Sequence, residues 1–240
     1  MRALSEGSGS VSAEEAVAAL GLSEGGRPGL PRVVAIMVAS IDGRATVDER
    51  SGGLGHPEDR ALLRGLRAAA DCVLVGTGTI AAEKYANLLD ADQREARQAA
   101  GRTPHPILAT LSRRGEFPWE VPVLGEEGVP KQLYSEREVE LPANATETSL
   151  HVSDGGLRGA LEHLHGERGV LSVACEGGPG VLRALLADDL VDDLLLTLAP
   201  LVVAGDGPTS LAGAALDPPA ELRLAGVRRA DDHLFLHYAR

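Results

Sequence analysis

Apolar runs of strand length alternate along the chain with stretches whose apolar residues recur at helical spacing. The clearest runs predict strands at residues 32–40, 71–76, 107–111, 170–175 and 194–198, with weaker candidates at 133–134 and 150–152. Helical spacing predicts helices at residues 56–70, 155–165 and 179–186. Strands that are apolar throughout and alternate with helices predict an α/β domain with a mostly parallel sheet.

The two ends of the chain depart from this pattern. Residues 222–227 and 233–238 alternate in polarity with no helix between them, which predicts an antiparallel pair and makes the sheet mixed. Residues 201–204 are apolar and either extend the strand before them or begin the next one. Residues 1–30 hold one short helical stretch among Gly, Ser and Glu. We therefore expect a partly ordered leader at residues 1–30 and a single folded domain at residues 31–240.

Charge and composition narrow the possible partners. The net charge of −12 repels phosphate backbones, so no nucleic-acid partner is expected. No apolar run reaches the roughly 18 residues of a membrane helix, and the N-terminus lacks the order of a signal peptide, so a cytoplasmic protein without a membrane partner is predicted. Cys72 and Cys175 lie in strand-like runs and are expected to be buried. The seven histidines are scattered, and no metal site is expected.

A glycine-rich turn follows the predicted strand at residues 71–76. Residues 76–81 fit the pattern Gly-x-Gly-x-x-Ala in a strand–turn–helix context, which suits a nucleotide phosphate. A Rossmann unit would also carry an acid at the end of the next strand. That strand ends instead in Ser112 and Arg113, a hydroxyl and a guanidinium that suit the 2′-phosphate of NADPH. A tight packing turn and a solvated basic loop are the alternatives.

A second glycine-rich turn lies between the strand at residues 170–175 and the next helix. Gly177 and Gly178 permit close backbone approach, and Pro179 suits the first turn of the helix. A pyrophosphate above that helix N-terminus is chemically reasonable. Ordinary helix-start chemistry is the alternative.

Four short stretches carry a resemblance to a known family. They are residues 39–44, 70–79, 176–178, and 190–193 leading to Pro200 and 205–207. In this order and spacing they resemble the reductase domain of the bifunctional riboflavin-biosynthesis deaminase-reductase, a relative of dihydrofolate reductase. The resemblance covers about residues 32–238 and implies a dihydrofolate-reductase-like fold, with a mixed, mostly parallel sheet flanked by helices. It also implies a homodimer and NADPH as the cofactor.

The resemblance assigns provisional roles to individual residues. The expected cofactor contacts are Gly76, Thr77, Thr79, Ser112, Arg113, Gly177, Gly178, Gly180 and Val181. Asp42 and Glu176 would face the nicotinamide and the substrate, and with Lys84 they are the candidate catalytic residues. Substrate contacts are expected at Ser40, Glu83 and Tyr85.

One stretch departs from the family pattern. The riboflavin enzymes usually carry Asp-Asp-Pro after the first glycine turn and an Arg shortly afterwards for the ribose phosphate, whereas this chain has Glu83, Lys84 and Tyr85, with Arg94 and Arg97 later. We therefore predict an NADPH-dependent reductase of a nitrogen heterocycle, either an aminouracil phosphoribosyl compound or a pterin-like or folate-like one. A nucleotide-binding protein of the same fold without turnover, and a Rossmann dehydrogenase that prefers NADH, stay open as alternatives.

Overall fold

The computed structural model describes residues 9–240. Within this part of the chain, nine strands form one sheet: β1 Arg32–Ser40, β2 Cys72–Leu74, β3 Ile107–Leu111, β4 Lys131–Ser135, β5 Thr148–Val152, β6 Ser172–Cys175, β7 Asp193–Ala199, β8 Arg223–Ala230 and β9 His233–Ala239. Seven α-helices accompany them among the same residues: α1 Ala13–Ala18, α2 Pro57–Ala69, α3 Thr77–Glu83, α4 Ala91–Ala99, α5 Pro122–Gly125, α6 Gly156–Gly166 and α7 Pro179–Ala187.

The strand order across the sheet is β5-β4-β3-β2-β6-β1-β7-β9-β8. Neighbours from β5 to β7 pair in parallel, whereas β9 pairs antiparallel with both β7 and β8. The predicted mixed, mostly parallel α/β fold is therefore confirmed. The order differs from that of a Rossmann sheet, so the Rossmann dehydrogenase is wrong. Residues 201–204 form no strand and belong to a loop after β7.

Two apolar layers sandwich the sheet, and β1 shows how its continuous apolar run divides between them. Val34 and Ile36 pack with α2 and α3 on one face, whereas Val33 and Ala35 pack with α6 and α7 on the other. A strand covered on both faces gains from apolar residues at every position, which is why this segment lacks a period of two.

The N-terminal segment contributes to the same core. Ser12 caps α1 by accepting a hydrogen bond from the Glu15 amide, and Val17 and Leu20 are buried in the layer that contains α2. Leu22, just beyond, is buried there too. Residues 1–8 of the predicted leader lie outside the described part, so the proposed boundary at residue 30 stays a prediction.

Helix α4 has no counterpart among the sequence predictions. Asp90 and Gln93 form a capping box at its start, and Arg97 near its end is buried. The Arg97 guanidinium donates hydrogen bonds to the Ala68 and Ala70 carbonyls at the end of α2, at 2.7 and 2.8 Å. Arg97 therefore holds two helices together. None of the helices in residues 9–240 is long and apolar enough to cross a membrane.

Candidate active site

An open cleft of about 880 Å³ runs along the edge of the sheet where the parallel strands end. Such edges are where ligands bind in open α/β sheets, because strand ends and helix N-termini converge there. One part of the lining, called here the glycine end, comprises Gly76, Thr77, Thr79, Arg113, Gly178, Gly180 and Val181. Another part, called here the acidic end, comprises Glu49, Ser51, Asp59 and Glu83.

The two glycine turns interlock at the glycine end. The Gly76 amide donates a hydrogen bond to the Gly177 carbonyl at 2.7 Å, and the Gly178 amide donates to Thr79 Oγ1 at 2.9 Å. A Cβ on Gly178 would lie 2.5 Å from Thr79 Oγ1, and one on Gly76 would lie 2.9 Å from Val181 Cγ2. A side chain at either position would therefore displace a neighbouring side chain where the turns meet.

Helix α7 begins directly at this contact. Gly178 is its N-cap and supplies no side-chain hydrogen bond, while Pro179 occupies the first turn. The first amides of an α-helix have no partner within the helix, so they are donors for an anion unless a side chain caps them. Gly180 and Val181, in the same turn, line the cleft.

A buried network stands behind the glycine end. Glu176 accepts hydrogen bonds from Arg67 Nε at 2.5 Å and Arg67 Nη2 at 2.6 Å, and from the Tyr85 hydroxyl at 2.5 Å. The side chains of Glu176 and Arg67 are only 2% and 13% exposed. Burial raises the pKa of Tyr85 well above its ordinary value, and the negative charge of Glu176 raises it further. Both oxygens of Glu176 are thus committed to neighbouring side chains.

A family relationship accompanies this geometry. Residues 31–236 match the model of the family described as the RibD C-terminal domain. The chain belongs to the RibD C-terminal domain family.

Two relatives are both named 2,5-diamino-6-ribosylamino-4(3H)-pyrimidinone 5′-phosphate reductase. The protein from Archaeoglobus fulgidus is 28% identical over 187 residues, which cover 75% of this chain and 85% of the relative. The protein from Methanothermobacter thermautotrophicus is 26% identical over 206 residues, which cover 83% and 92%. The resemblance predicted from the sequence is confirmed, and with it the class of reductase.

Solved structures agree. A pyrimidine reductase-like protein from Corynebacterium diphtheriae superposes with a TM-score of 0.78 at 25% identity, covering 95% of this chain and 98% of that one. A deaminase/reductase from Thermotoga maritima, named for 5-amino-6-(5-phosphoribosylamino)uracil reduction, has a TM-score of 0.72 at 20% identity and covers 88% of this chain and 57% of that one. The latter likeness shows the shared fold.

Within this family fold, Asp42 and Ser40 hold a loop and do not line the cleft. The Ser40 hydroxyl donates to Asp42 Oδ1 at 2.6 Å, and Asp42 also accepts from the amides of Val203 and Ala204 at 3.0 and 2.7 Å. These bonds, the one from Ser40 first, hold the pKa of Asp42 far below its ordinary value. Asp42 therefore holds the loop after β7 in place. Its predicted catalytic role has no support in this geometry.

The three residues of the stretch 83–85 lie in three different environments. Glu83 lines the acidic end and accepts a hydrogen bond from the Ser51 amide at 2.9 Å. Tyr85 also lines the cleft and is bound to Glu176. Lys84 is exposed, caps α3 in a left-handed conformation, and is absent from the lining. The cleft contains two of these three predicted residues, and Lys84 is outside it.

Of the two residues predicted at the end of β3, one lines the cleft. Arg113 is exposed and lines the cleft. Ser112 does not line the cleft, and its hydroxyl accepts a hydrogen bond from the Glu116 amide at 3.0 Å. A local turn therefore uses the Ser112 hydroxyl, which leaves Arg113 as the candidate anion-binding group.

Asp59 is a site residue that the sequence analysis missed. It lies in the first turn of α2, lines the acidic end and accepts a hydrogen bond from the buried Thr197 hydroxyl at 2.6 Å. Burial raises the pKa of Asp59 despite this hydrogen bond. An acid in the first turn of a helix is so common that the sequence offered no signal. Only the pairing with Thr197, 138 residues away, marks it.

Proposed function

We propose that this protein transfers a hydride from NADPH to an aminopyrimidine-like or pterin-like nitrogen heterocycle. One observation carries the proposal: a single cleft joins two interlocked glycine turns to a half-buried carboxylic acid. The family relationship supports the reductase class, and the cleft supports the assignment of its two ends. A small-molecule substrate fits this cleft; a homodimer and a cytoplasmic location stay predictions from the resemblance and the sequence.

The glycine end fits a dinucleotide. Its surface is backbone at Gly76 and Gly178, where a side chain would collide with Thr79 or Val181, and α7 presents uncapped amides. Arg113, at the end of β3, supplies a guanidinium fork for a phosphate monoester. NADPH supplies the hydride when bound, and the protein holds it and excludes water. We assign the pyrophosphate to α7 and the 2′-phosphate to Arg113.

Asp59 is the acid best suited to meet the heterocycle. A reduction of a C=N bond consumes a proton as well as a hydride, and a carboxyl group with a raised pKa retains its proton closer to neutral pH. Thr197 fixes the carboxyl orientation by donating to Oδ1. Glu176 is not suited to this role, because Arg67 and Tyr85 occupy both of its oxygens. Asp59 is therefore our candidate proton donor, with Glu176 a positioning residue.

Parallel calorimetric titrations with NADPH and NADH test the cofactor assignment. We expect NADPH to bind more tightly, and Arg113→Ala to weaken NADPH binding by about tenfold, since a hydrogen bond to a charged group contributes roughly 1.5 kcal/mol or more. Binding of NADH should change little. Arg114→Ala is the matched control, because Arg114 is an exposed neighbour that does not line the cleft.

Each other outcome has a definite meaning. Equal affinity for NADPH and NADH would remove the 2′-phosphate site at Arg113. Tight NADPH binding with no oxidation by any aminopyrimidine or pterin would favour the nucleotide-binding protein without turnover. Absence of binding to both dinucleotides would reject the reductase.

A further inference from the structure

We propose that residues 200–215, called here the strap, close the cleft over the bound cofactor, and that Arg183 is the positioning residue that holds the strap there. The inference rests on the proposed function, since the strap borders the glycine end of the same cleft. It assigns to the strap the exclusion of water that the closing of an active site brings about.

The strap borders the cleft although little of it is buried. It begins the connection between β7 and β8, and Pro208, Ala212 and Gly213 line the cleft. Most of its side chains are exposed, Val202 to 72%. Strap residues, all within the described part of the chain, contribute nothing to either apolar layer of the core. Hydrogen bonds, and not apolar packing, therefore hold the strap against the domain.

The first half of the strap is tied to the turn after β1. Asp42 accepts hydrogen bonds from two strap amides, at residues 203 and 204. The Arg44 guanidinium donates to the Gly207 carbonyl at 2.5 Å, and the Ser210 amide donates to the Gly43 carbonyl at 2.9 Å. These bonds fix the strap at several points up to residue 210.

The second half of the strap is tied to α7, chiefly by one side chain. Arg183 Nε donates to the Ala214 carbonyl at 2.6 Å, and Arg183 Nη2 donates to the Ala215 carbonyl at 3.3 Å. The backbone adds a long hydrogen bond of 3.4 Å, from the Ala212 amide to the Pro179 carbonyl. Removal of the Arg183 guanidinium should therefore release this half and leave the first half in place.

Gly213 brings the strap backbone against the Arg183 side chain. A Cβ on Gly213 would lie 2.9 Å from Arg183 Cδ and 3.3 Å from Nε. The φ of Gly213 is 122°, a value that residues with a side chain rarely adopt. Both Gly213 and Arg183 line the cleft, so this contact lies at the cleft wall.

Arg183 lies next to the amides that we assign to the pyrophosphate. Gly180 and Val181, in the first turn of α7, line the cleft, and Arg183 follows them on the same helix. Its hydrogen bonds therefore join the helix that would hold the cofactor to the strap that borders it. Exposed hydrogen bonds each contribute little to stability, and segments held by few of them open readily. The strap can thus open for a dinucleotide to enter and close again behind it.

Hydrogen exchange of the strap, with and without saturating NADPH, tests the closure. In the wild type we expect NADPH to slow the exchange of amides at residues 205–215 severalfold. Arg183→Met should exchange faster at residues 211–215 even without NADPH and should lose most of the protection. Arg158→Met is the matched control, because Arg158 is an exposed residue of α6 that donates to the Asp188 carbonyl at 2.7 Å and lies outside the lining.

Stopped-flow release of NADPH tests what the strap does for the cofactor. Arg183→Met should release NADPH about tenfold faster, because hydrogen bonds from a charged donor to the strap are lost. The KM for NADPH should rise while kcat is not lowered. Arg183→Lys keeps the positive charge but lacks the fork that spans two carbonyls, so it should release NADPH nearly as fast. Gly213→Ala, which displaces Arg183 from the strap side, should act in the same direction.

The outcomes separate the strap from the reductase. Wild-type release by Arg183→Lys would mean that the charge of residue 183 retains NADPH, and would overturn the inference. Strap exchange that NADPH does not alter, in a protein that binds and oxidises NADPH, would overturn it and leave the reductase intact. Loss of protection in Arg158→Met equal to that in Arg183→Met would also count against it. Absence of NADPH binding to the wild type would reject both.

Discussion

Backbone groups at Gly76 and Gly178 form the centre of the glycine end of the cleft, whereas carboxylate side chains form much of the acidic end. The glycine end is made by two short turns, each directly after a strand, that touch through the Gly76 and Gly178 amides. The acidic end gathers Glu49 from a loop, Asp59 from α2 and Glu83 from α3. Apart from Gly76, Gly178 and Arg113, a cofactor site built largely from backbone is little affected by side-chain substitution. The substrate preference can therefore change while the cofactor stays the same.

The Arg67–Glu176–Tyr85 network connects the two ends. Glu176 directly precedes the second glycine turn, and Tyr85 lies two residues after Glu83 of the acidic end. The Arg67 guanidinium lies 5.1 Å from the centre of the Tyr85 ring while it pairs with Glu176. A substitution in this buried network is therefore expected to affect both ends of the cleft.

The largest expected effect comes from breaking this support. Arg67→Met leaves the Glu176 carboxylate buried without its cation, which typically costs about 3–5 kcal/mol in unfolding free energy. The double variant Arg67→Met/Glu176→Gln should recover part of the loss, because the uncompensated charge is gone. Denaturant unfolding of the wild type and both variants measures these differences.

Arg64→Met is the matched control for this prediction. Arg64 lies on the same helix and pairs with Asp90, but its side chain is 58% exposed. Exposed ion pairs contribute about 0–1 kcal/mol, so this variant should unfold almost as the wild type does. Equal losses in Arg67→Met and Arg64→Met would mean that the buried network does not support the two ends.

An intermediate effect is expected at the acidic end. Asp59→Asn should lower kcat about 100-fold, because general acid catalysis contributes roughly two to four orders of magnitude, while NADPH affinity changes little. The wild-type rate should fall as pH rises through the raised pKa of Asp59, since the proton is then lost, and the variant should lack this limb. Rate–pH profiles with saturating NADPH measure both effects.

Asp59→Asn, which is expected to lower kcat, is also expected to raise the free energy of unfolding. A folded-state pKa above the unfolded value means that the ionised carboxylate opposes folding, so stability falls as pH rises from the unfolded value through the raised one. Asp59→Asn should therefore be more stable than the wild type at neutral pH, and less so in acid. Glu58→Gln, an exposed neighbour on α2, is the control. For the activity prediction, an Asp59→Asn variant that kept the wild-type kcat would exclude Asp59 as the proton donor.

The sequence revealed the glycine end far better than the acidic end, for a physical reason. A glycine turn after an apolar strand is a contiguous signal, and residues 76–81 and 176–180 carry it intact. Asp59 becomes notable only through Thr197, which β7 brings to it from a distant part of the chain. Contacts of this kind depend on strand order, which periodicity does not contain.

Hydrogen bonds to the protein's own backbone explain the site predictions that the structure does not support. Ser112 and Asp42 are both short polar side chains at strand ends, and such residues bind nearby backbone amides as readily as ligands. Ser112 accepts from Glu116, and Asp42 accepts from Val203 and Ala204. The sequence pointed to these two strand ends but could not show which polar atoms were already used there.

The smallest expected effect tests the glycine end itself. Gly178→Ala places a Cβ 2.5 Å from Thr79 Oγ1, so the Thr79 side chain must move and its hydrogen bond from the Gly178 amide is lost. A lost hydrogen bond of about 1 kcal/mol together with the displaced turn should raise the Kd for NADPH roughly tenfold. Gly159→Ala on α6 is the control, because its Cβ meets only Ser153 Oγ at an ordinary 3.8 Å. If Gly178→Ala bound NADPH as the wild type does, the contact between the turns would not shape the cofactor site. The tolerance of the glycine end to substitution would then extend even to the positions where its two turns meet.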